Sequence, residues 1–118
     1  MNMEHVFHQD IVKVATKILN LPKTAANLLH VIAKEKGLLI SDIIRKMKMS
    51  ERCVRHHLKI LSEKGLLKRT VEITRNKKLS YRYSLAKIKG IEQVLKSEVS
   101  RKIKEINYAI ANTKKHAI

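Results

Sequence analysis

The chain has 118 residues, which suits one folded domain and leaves little room for a deep catalytic cleft with a cofactor. Lys and Arg number 26 against 10 Asp and Glu, so the formal net charge is +16 and the isoelectric point is about 10.2. This excess favours nucleic acids or other polyanions as partners. Apolar residues make up 44% of the chain and recur at regular spacings, which excludes a disordered basic tail.

The cysteine content and the apolar runs bear on where the protein works. The single cysteine, Cys53, excludes an internal disulfide, and no opening segment has the pattern of a secretory leader. No apolar run approaches the roughly 18 residues that would span a bilayer. We therefore expect a soluble, cytoplasmic protein that does not use a membrane as its partner.

Apolar residues at helical spacing predict two helices in the first third of the chain. The first covers residues 8–20, and its predicted apolar face consists of Ile11, Val14, Ala15 and Ile18. Pro22 suits the first turn of a second helix, in which apolar residues repeat at spacings of three and four. Gly37 is the predicted stop of that helix.

The next segment has the pattern of a helix-turn-helix. A short apolar strand at residues 38–40 precedes a helix that we expect Ser41 and Asp42 to cap. Ser50 is the expected cap of a further helix, and Gly65 its expected end. Two short helices joined by a turn of about three or four residues form the helix-turn-helix motif.

Beyond Gly65 the spacing changes to the alternation of β-strands and then returns to that of a helix. Residues 67–74 and 79–85 alternate between two faces and flank the basic segment 75–78, which predicts a hairpin with a basic tip. Residues 87–114 then repeat apolar side chains at spacings of three and four. A helix of this length extends about 40 Å at 1.5 Å per residue and outruns its own domain.

The positive charge is concentrated in the predicted helix-turn-helix and hairpin. Residues 41–90 contain 15 basic and 4 acidic residues, a net charge of +11. Residues 1–40 and 91–118 carry only +2 and +3, from 5 basic and 3 acidic and from 6 basic and 3 acidic residues. The charge therefore coincides with the elements whose shapes suit a DNA groove and its phosphates.

Both basic elements supply candidate DNA contacts. If Val54, Leu58 and Leu61 face the core, the outward residues of their helix are Ser50, Glu51, Arg52, Arg55, His56 and Lys59. The candidate contacts of the hairpin are Arg69, Arg75, Asn76, Lys77, Lys78 and Arg82. Arginine can donate two hydrogen bonds to guanine, so Arg52 and Arg55 are base-reading candidates, whereas lysine and serine suit phosphate. Solubility would explain either set alone, but their adjacency favours DNA binding.

Other chemistries find less support in the sequence. Cys53, His56 and His57 offer three ligands where a structural zinc site takes four, so we expect no metal. Phosphate-binding glycine loops, Ser-His-Asp arrangements and paired-carboxylate motifs are not evident, so we expect neither an enzyme nor a cofactor. Only four aromatic residues are available for base stacking, which disfavours RNA.

Particular segments resemble the winged helix-turn-helix of MarR-, ArsR- and TrmB-type transcriptional regulators. They are Ser41-Asp42-Ile43-Ile44, residues 49–58, residues 61–67, and residues 83–90, which are similar to the run that leaves the wing and opens the last helix. The likeness covers about residues 22–95 and is greatest to small archaeal regulators named for a loose likeness to the leucine-responsive regulator. The metal-sensing cysteine motif of many ArsR-type members is absent, which disfavours metal regulation.

The resemblance implies a mainly α fold with a small β-hairpin. A winged helix-turn-helix domain would occupy residues 1–86, and a C-terminal dimerisation helix of the same structural unit would occupy residues 87–118. Residues 50–64 would form the recognition helix and residues 75–78 the wing. The terminal helices would pair in a homodimer through the apolar stripe Ile91, Leu95, Val99, Ile103, Ile106 and Ile110.

The sequence thus predicts a sequence-specific, double-stranded DNA-binding transcriptional regulator that acts as a homodimer. One alternative is an architectural protein that coats DNA with little sequence preference. Another is a winged helix that contacts proteins of the transcription machinery. Nothing in the sequence specifies a small-molecule effector.

Overall fold

The computed structural model describes residues 3–116. The elements in chain order are α1 (Met3–Ile18), α2 (Lys23–Ala33), β1 (Leu38–Leu39), α3 (Ile40–Met47), α4 (Glu51–Glu63), β2 (Leu67–Ile73), β3 (Leu79–Leu85) and α5 (Ile88–His116). Strand β3 lies between β1 and β2 in an antiparallel three-stranded sheet. The predicted class, mainly α with a small β-hairpin, is confirmed, and β1 adds a short third strand.

Helix α2 occupies the centre of the core and packs against α1, α3, α4 and β3. The large side chains with almost no exposed surface are Val12, Leu28, Leu29, Ile32, Ile43, Val54, Leu61, Leu66 and Ile91. Each such Leu or Ile contributes about 1.5–3 kcal/mol through burial. The core therefore packs α4 and the base of the hairpin against the same helix, α2.

Helix α1 presents most of its predicted apolar face to the core, with Ile11 and Ile18 partly buried against it. Val12 and Ala15 are buried, whereas Val14, predicted on the inward face, is 45% exposed. The reason is that α1 is apolar on two sides. One side packs on α2, and the other, which carries Ile11, Val14 and Ile18, lines a groove with α5.

The start of α3 agrees with the prediction for Asp42 but not for Ser41, whereas α4 begins and ends as predicted. Helix α3 begins at Ile40, so Asp42 lies within its first turn and its carboxylate accepts a hydrogen bond from the Leu39 N–H at 3.1 Å. The Ser50 hydroxyl accepts from the Cys53 N–H at 3.2 Å and caps α4. Gly65 follows the end of α4 with φ of +77°, a left-handed conformation that favours glycine.

Helix α5 has 29 residues and is about 43 Å long at 1.5 Å per residue. Its first turns pack on the core, and the Lys102 ammonium donates a hydrogen bond to the Ile18 carbonyl at the end of α1. Most later residues of α5 are exposed. No helix within residues 3–116 is long and apolar enough to cross a membrane.

Candidate nucleic-acid interface

The outward face of α4 is available to a partner. Val54, Leu58 and Leu61 are buried, which confirms the predicted inward face. The predicted contact residues that are exposed on or next to α4 are Ser50, Glu51, Arg52, Arg55, His56 and Lys59. The Arg55 guanidinium lies 3.6 Å from the Glu51 carboxylate, and both side chains are more than half exposed. Glu51 therefore orients Arg55 along the surface of the helix.

One flank of α4 carries the residues that the sequence offered as metal ligands. Cys53 and His57 are half-buried, and the ring of His56 packs edge-on against that of His57. Burial lowers the pKa of His57, and the neighbouring His56 lowers it further. Across the described part of the chain, no group of three or more His, Cys, Asp or Glu residues is arranged to hold a metal.

The register of the hairpin separates its side chains onto two faces. Leu67 pairs with Leu85, and Arg69 pairs with Tyr83, which is buried in the core. Because alternate residues share a face, the core-side face of the hairpin comprises Leu67, Arg69, Val71, Ile73, Leu79, Tyr81, Tyr83 and Leu85. The intervening residues of both strands are polar and form the opposite face.

The hairpin tip is a short, exposed basic turn. The Lys77 N–H donates to the Thr74 carbonyl at 2.9 Å, and the Thr74 N–H donates to the Lys78 carbonyl at 3.0 Å. Lys77 has φ of +58°, a left-handed conformation that is uncommon for lysine. The tip residues predicted to contact DNA are all exposed: Arg75, Asn76, Lys77 and Lys78.

A cleft of about 450 Å³ lies between α4 and the hairpin. Arg55, Lys59 and Glu63 line it from α4, and Arg69 lines it from β2, so three cations and one carboxylate face this space. The guanidinium carbon of Arg69 lies 4.3 Å from the centre of the Tyr81 ring, a cation–π arrangement that holds this cation at the cleft. We call this feature the cationic cleft. It brings residues of the predicted recognition helix and of the predicted wing to one place.

Arg82 is separated from the cationic cleft. It pairs with Thr70 and therefore lies on the opposite face of the hairpin from Arg69. Its guanidinium donates a hydrogen bond to the Glu72 carboxylate, and this bond raises the pKa of Arg82 above its usual value. The sequence predicts Arg82 and Arg69 in one set of DNA contacts, and the register separates them onto opposite faces. Alternation alone does not identify which residues of two strands share a face.

The apolar stripe of α5 divides into a buried and an exposed part. Ile91 and Leu95 are 1% and 5% exposed and belong to the protomer core, which corrects their predicted placement in the dimer interface. The exposed members of the predicted dimer stripe are Val99, Ile103, Ile106 and Ile110. A groove of about 460 Å³ between α1 and α5 continues this surface and exposes Val14 beside Val99.

Several surface features were not identified from the sequence. The support of Arg69 by Tyr81 depends on a diagonal contact across two strands, and the α1–α5 groove depends on how two distant helices pack. The exposure of Val71, Ile73 and Leu79 follows from the length of the hairpin beyond the core. Alternating apolar residues in a strand ordinarily predict a buried face. The sequence pattern therefore predicts burial of these three residues, whereas the structure exposes them.

Comparisons with known proteins identify the fold. Residues 22–69 match the family model described as bacterial regulatory protein, arsR family. The search of curated proteins finds no match. A possible transcriptional regulator from Methanosarcina mazei has a similar structure, with 19% identity, coverage of 85% of each chain and a TM-score of 0.73.

Two further structures are DNA-associated or MarR-type regulators. The Staphylococcus aureus MepR–DNA complex is 18% identical, with coverage of 96% of this chain and 90% of MepR and a TM-score of 0.54. Lactococcus lactis ZitR, a zinc-responsive MarR family member, is 23% identical, with coverage of 80% of this chain and 62% of ZitR and a TM-score of 0.50. The chain therefore has the winged helix-turn-helix fold of such regulators, as the sequence resemblance implied. The closer likeness to leucine-responsive-type archaeal proteins stays a prediction.

Proposed function

We propose that this protein is a sequence-specific, double-stranded DNA-binding transcriptional regulator that acts as a homodimer. The observation that carries the proposal is the cationic cleft, in which Arg55 and Lys59 of α4 face Arg69 of the hairpin. A helix with an exposed basic face beside a basic ribbon matches the major groove and the neighbouring phosphates. In this proposal α4 is the recognition helix and the β2–β3 hairpin is the wing.

The recognition helix reads bases through its arginines. An α-helix is 10–12 Å across with its side chains, and the major groove is about 12 Å wide, so α4 fits with its exposed face against the base edges. Arg52 and Arg55 donate to guanine, and Glu51 either accepts from cytosine or keeps Arg55 aligned through their ion pair. His56 and Lys59 complete this face, and Ser50 lies at the end of the helix where phosphate contacts form.

Phosphate contacts provide the sequence-independent part of the affinity. Lys59 and Arg69 hold the DNA backbone that passes over the cationic cleft, while Arg75, Lys77 and Lys78 reach further along the duplex with Asn76. Each neutralised phosphate releases counterions. The slope of log affinity against log salt concentration therefore becomes steeper by about 0.9 for each phosphate contact. Arg82 is left out of this contact set because it lies on the opposite face of the wing and is paired with Glu72.

The exposed part of the α5 stripe forms the dimer interface of the proposal. Val99, Ile103, Ile106 and Ile110 fall on one side of α5 at spacings of three and four, and the α1–α5 groove extends this apolar surface. Contiguous exposed apolar surface of this kind marks a protein interface. Pairing about a two-fold axis would place two recognition helices about 34 Å apart, in successive major grooves of a pseudo-palindromic site.

Selection of bound duplexes from a random-sequence pool tests the proposed function. Recovery of a pseudo-palindromic motif with half-sites about one helical turn apart supports it. Light scattering of the same preparation must give the mass of a dimer. Arg55→Gln is then expected to relax base preference at one position in each half-site, by about 1–3 kcal/mol of discrimination. Equal losses on all sequences would remove Arg55 as a base reader.

The two alternatives give different results in this experiment. An architectural protein that coats DNA binds the pool tightly but enriches no motif. A winged helix that docks onto proteins of the transcription machinery shifts no duplex even at low salt. The net charge of +16 supports the first alternative, and footprints on native promoters distinguish it from a regulator.

A further inference from the structure

Helix α5 is held by the domain over its first half only. Ile91 and Leu95 are buried in the core, and they lie one turn apart, about 6 Å along the helix axis. After Leu95, only Glu98 and Lys102 are partly buried among the described residues of α5, and residues 103–116 are all exposed. Lys102 is therefore the last described residue at which the domain holds this helix.

The contact of Lys102 joins two helices that are distant in the sequence. Its ammonium donates a hydrogen bond to the carbonyl oxygen of Ile18, the last residue of α1. The last four carbonyls of a helix have no donor within the helix, and the partial negative charge at a helix C-terminus attracts a cation. The bond is therefore both directional and charge-assisted.

Glu98 lies one turn before Lys102 and adds charge to this joint between α1 and α5. The hydrogen bond from Arg101 lowers the pKa of Glu98, and the charges of Lys102 and of Lys64, which follows α4, lower it further. The Glu98 carboxylate therefore stays ionised beside Lys102. We call Lys102, Glu98 and the Ile18 carbonyl the α5 joint.

The position of Lys102 gives its contact strong control over the direction of the helix. Lys102 lies seven residues beyond Leu95, about 10.5 Å further along the axis. The two buried anchors are only about 6 Å apart, so they fix the start of α5 more firmly than its tilt. A contact well beyond them limits that tilt. The exposed stripe proposed for dimerisation begins beside it, with Val99 and Ile103.

We propose that Lys102 is a positioning residue that fixes the direction in which α5 leaves the domain, and with it the separation of the two recognition helices in the dimer. This inference rests on the proposed function. The helix from Ile88 to Lys102 is about 21 Å long, so a tilt of about 10° at the joint moves its far end by about 3.7 Å. Successive base pairs are about 3.4 Å apart, so such a tilt corresponds to about one base pair of half-site spacing. Lys102 thereby selects the spacing between half-sites and contributes little to the reading of either one.

The first experiment measures spacing preference separately from half-site affinity. Lys102→Met removes the ammonium but keeps a flexible side chain, and Lys104→Met removes the same charge from an exposed position on the other side of α5. Each protein is titrated with duplexes whose spacer between the selected half-sites is changed by one or two base pairs, and with a duplex that carries one half-site. We expect the wild type and Lys104→Met to lose about tenfold in affinity for a change of one base pair, and Lys102→Met to lose about threefold or less. The affinities of the two variants for the single half-site should agree.

A conservative variant distinguishes the hydrogen bond from packing of the side chain. Lys102→Arg keeps a cationic donor and should retain the wild-type spacing profile. The proposal is overturned if Lys102→Met keeps the wild-type profile, if Lys104→Met broadens the profile equally, or if the Arg and Met variants behave alike. A Lys102→Met variant that loses the same factor on every duplex, the single half-site included, also overturns it.

A distance measurement tests the same point without DNA. With Cys53, the only cysteine, replaced by Ser, Ser62→Cys places one nitroxide label on the exposed surface near the end of α4 in each protomer. Pulsed dipolar electron paramagnetic resonance of the free dimer then measures the distribution of distances between the two recognition helices. We expect a broader distribution for Lys102→Met than for the wild type or Lys104→Met. Equal widths overturn the proposal.

The two proposals fail in different ways. If the protein is a monomer, or if the selected duplexes contain no paired half-sites, the proposed homodimeric regulator fails. If paired half-sites are selected and Lys102→Met retains the wild-type spacing profile, the regulator stands and the role of Lys102 does not.

Discussion

Replacing Arg69 with Gln removes one cation from the cationic cleft while leaving the wing tip untouched. Arg69 lines the cleft opposite Arg55 and Lys59 and is stacked on Tyr81. In the proposed dimeric complex it would neutralise one phosphate in each half. The matched control is Arg82→Gln, which removes the same charge from the opposite face of the same hairpin. The two variants lose the same net charge. Any difference between them in DNA affinity or in its salt dependence therefore reflects the position of the arginine on the hairpin.

The expected magnitude follows from counterion release. Loss of one phosphate contact in each protomer lowers the salt slope by about 1.8 in a dimeric complex, at about 0.9 per phosphate. Between about 50 and 200 mM salt, the ratio of wild-type to variant affinity should therefore change about 12-fold. Tyr81→Leu should weaken binding by at most about 5- to 30-fold, because Arg69 would lose about 0.5–1 kcal/mol of preorganising cation–π energy in each of two protomers. Tyr81→Phe retains the ring face and should bind like the wild type.

Fluorescence anisotropy with a labelled duplex at five or more salt concentrations measures these slopes. Circular dichroism and thermal melting establish that each variant folds like the wild type. Equal slopes for Arg69→Gln and wild type, or equal effects of the Arg69 and Arg82 variants, would refute the placement of a phosphate in the cleft.

Three further predictions concern assembly, pH and the fold. Ile106→Ser should shift the proposed dimer toward monomer in sedimentation equilibrium. Tyr108→Ser removes an exposed aromatic side chain from the other side of α5 and should leave the dimer unchanged; equal effects would contradict the proposed interface. Burial and two nearby lysines lower the pKa of His30, so the unfolded chain binds its proton more readily. The contribution of His30 to stability is complete above about pH 6.5 and is lost as pH falls below that value through the lower pKa of the folded state. Urea unfolding should show a smaller acid loss in His30→Gln, and an unchanged loss would exclude His30 as a source. Gly65→Ala should cost about 1–2 kcal/mol of unfolding free energy, because φ is +77° and the added methyl would lie 3.1 Å from a side-chain carbon of α5; an unchanged urea midpoint would contradict this.

Local signals made parts of this fold predictable. Ser50 and Gly65 act through the backbone groups next to them, so the limits of α4 follow from the sequence and are confirmed. The hairpin likewise follows from its alternation and polar tip. These features depend on short-range chemistry, and the resemblance to winged-helix regulators depends on the same residues.

Other features depend on contacts that spacing does not encode. Ile91 and Val99 fit the same helical stripe, yet only Ile91 reaches the core, because α5 continues past the edge of the domain. Arg69 and Arg82 have the same chemistry in paired strands, and the register alone places them on opposite faces. Val14 has helical spacing suited to burial but faces the groove, since the packing of α1 on α2 selects Val12 instead.

The left-handed conformation of Lys77 has a consequence for how the ribbon end is built. Asparagine or glycine occupies such a backbone well more easily, and lysine there costs about 1–2 kcal/mol of local conformational energy. The turn therefore keeps a long cationic side chain at its end at the expense of local conformational energy, and the backbone hydrogen bonds that join Thr74 to Lys77 and Lys78 hold it there.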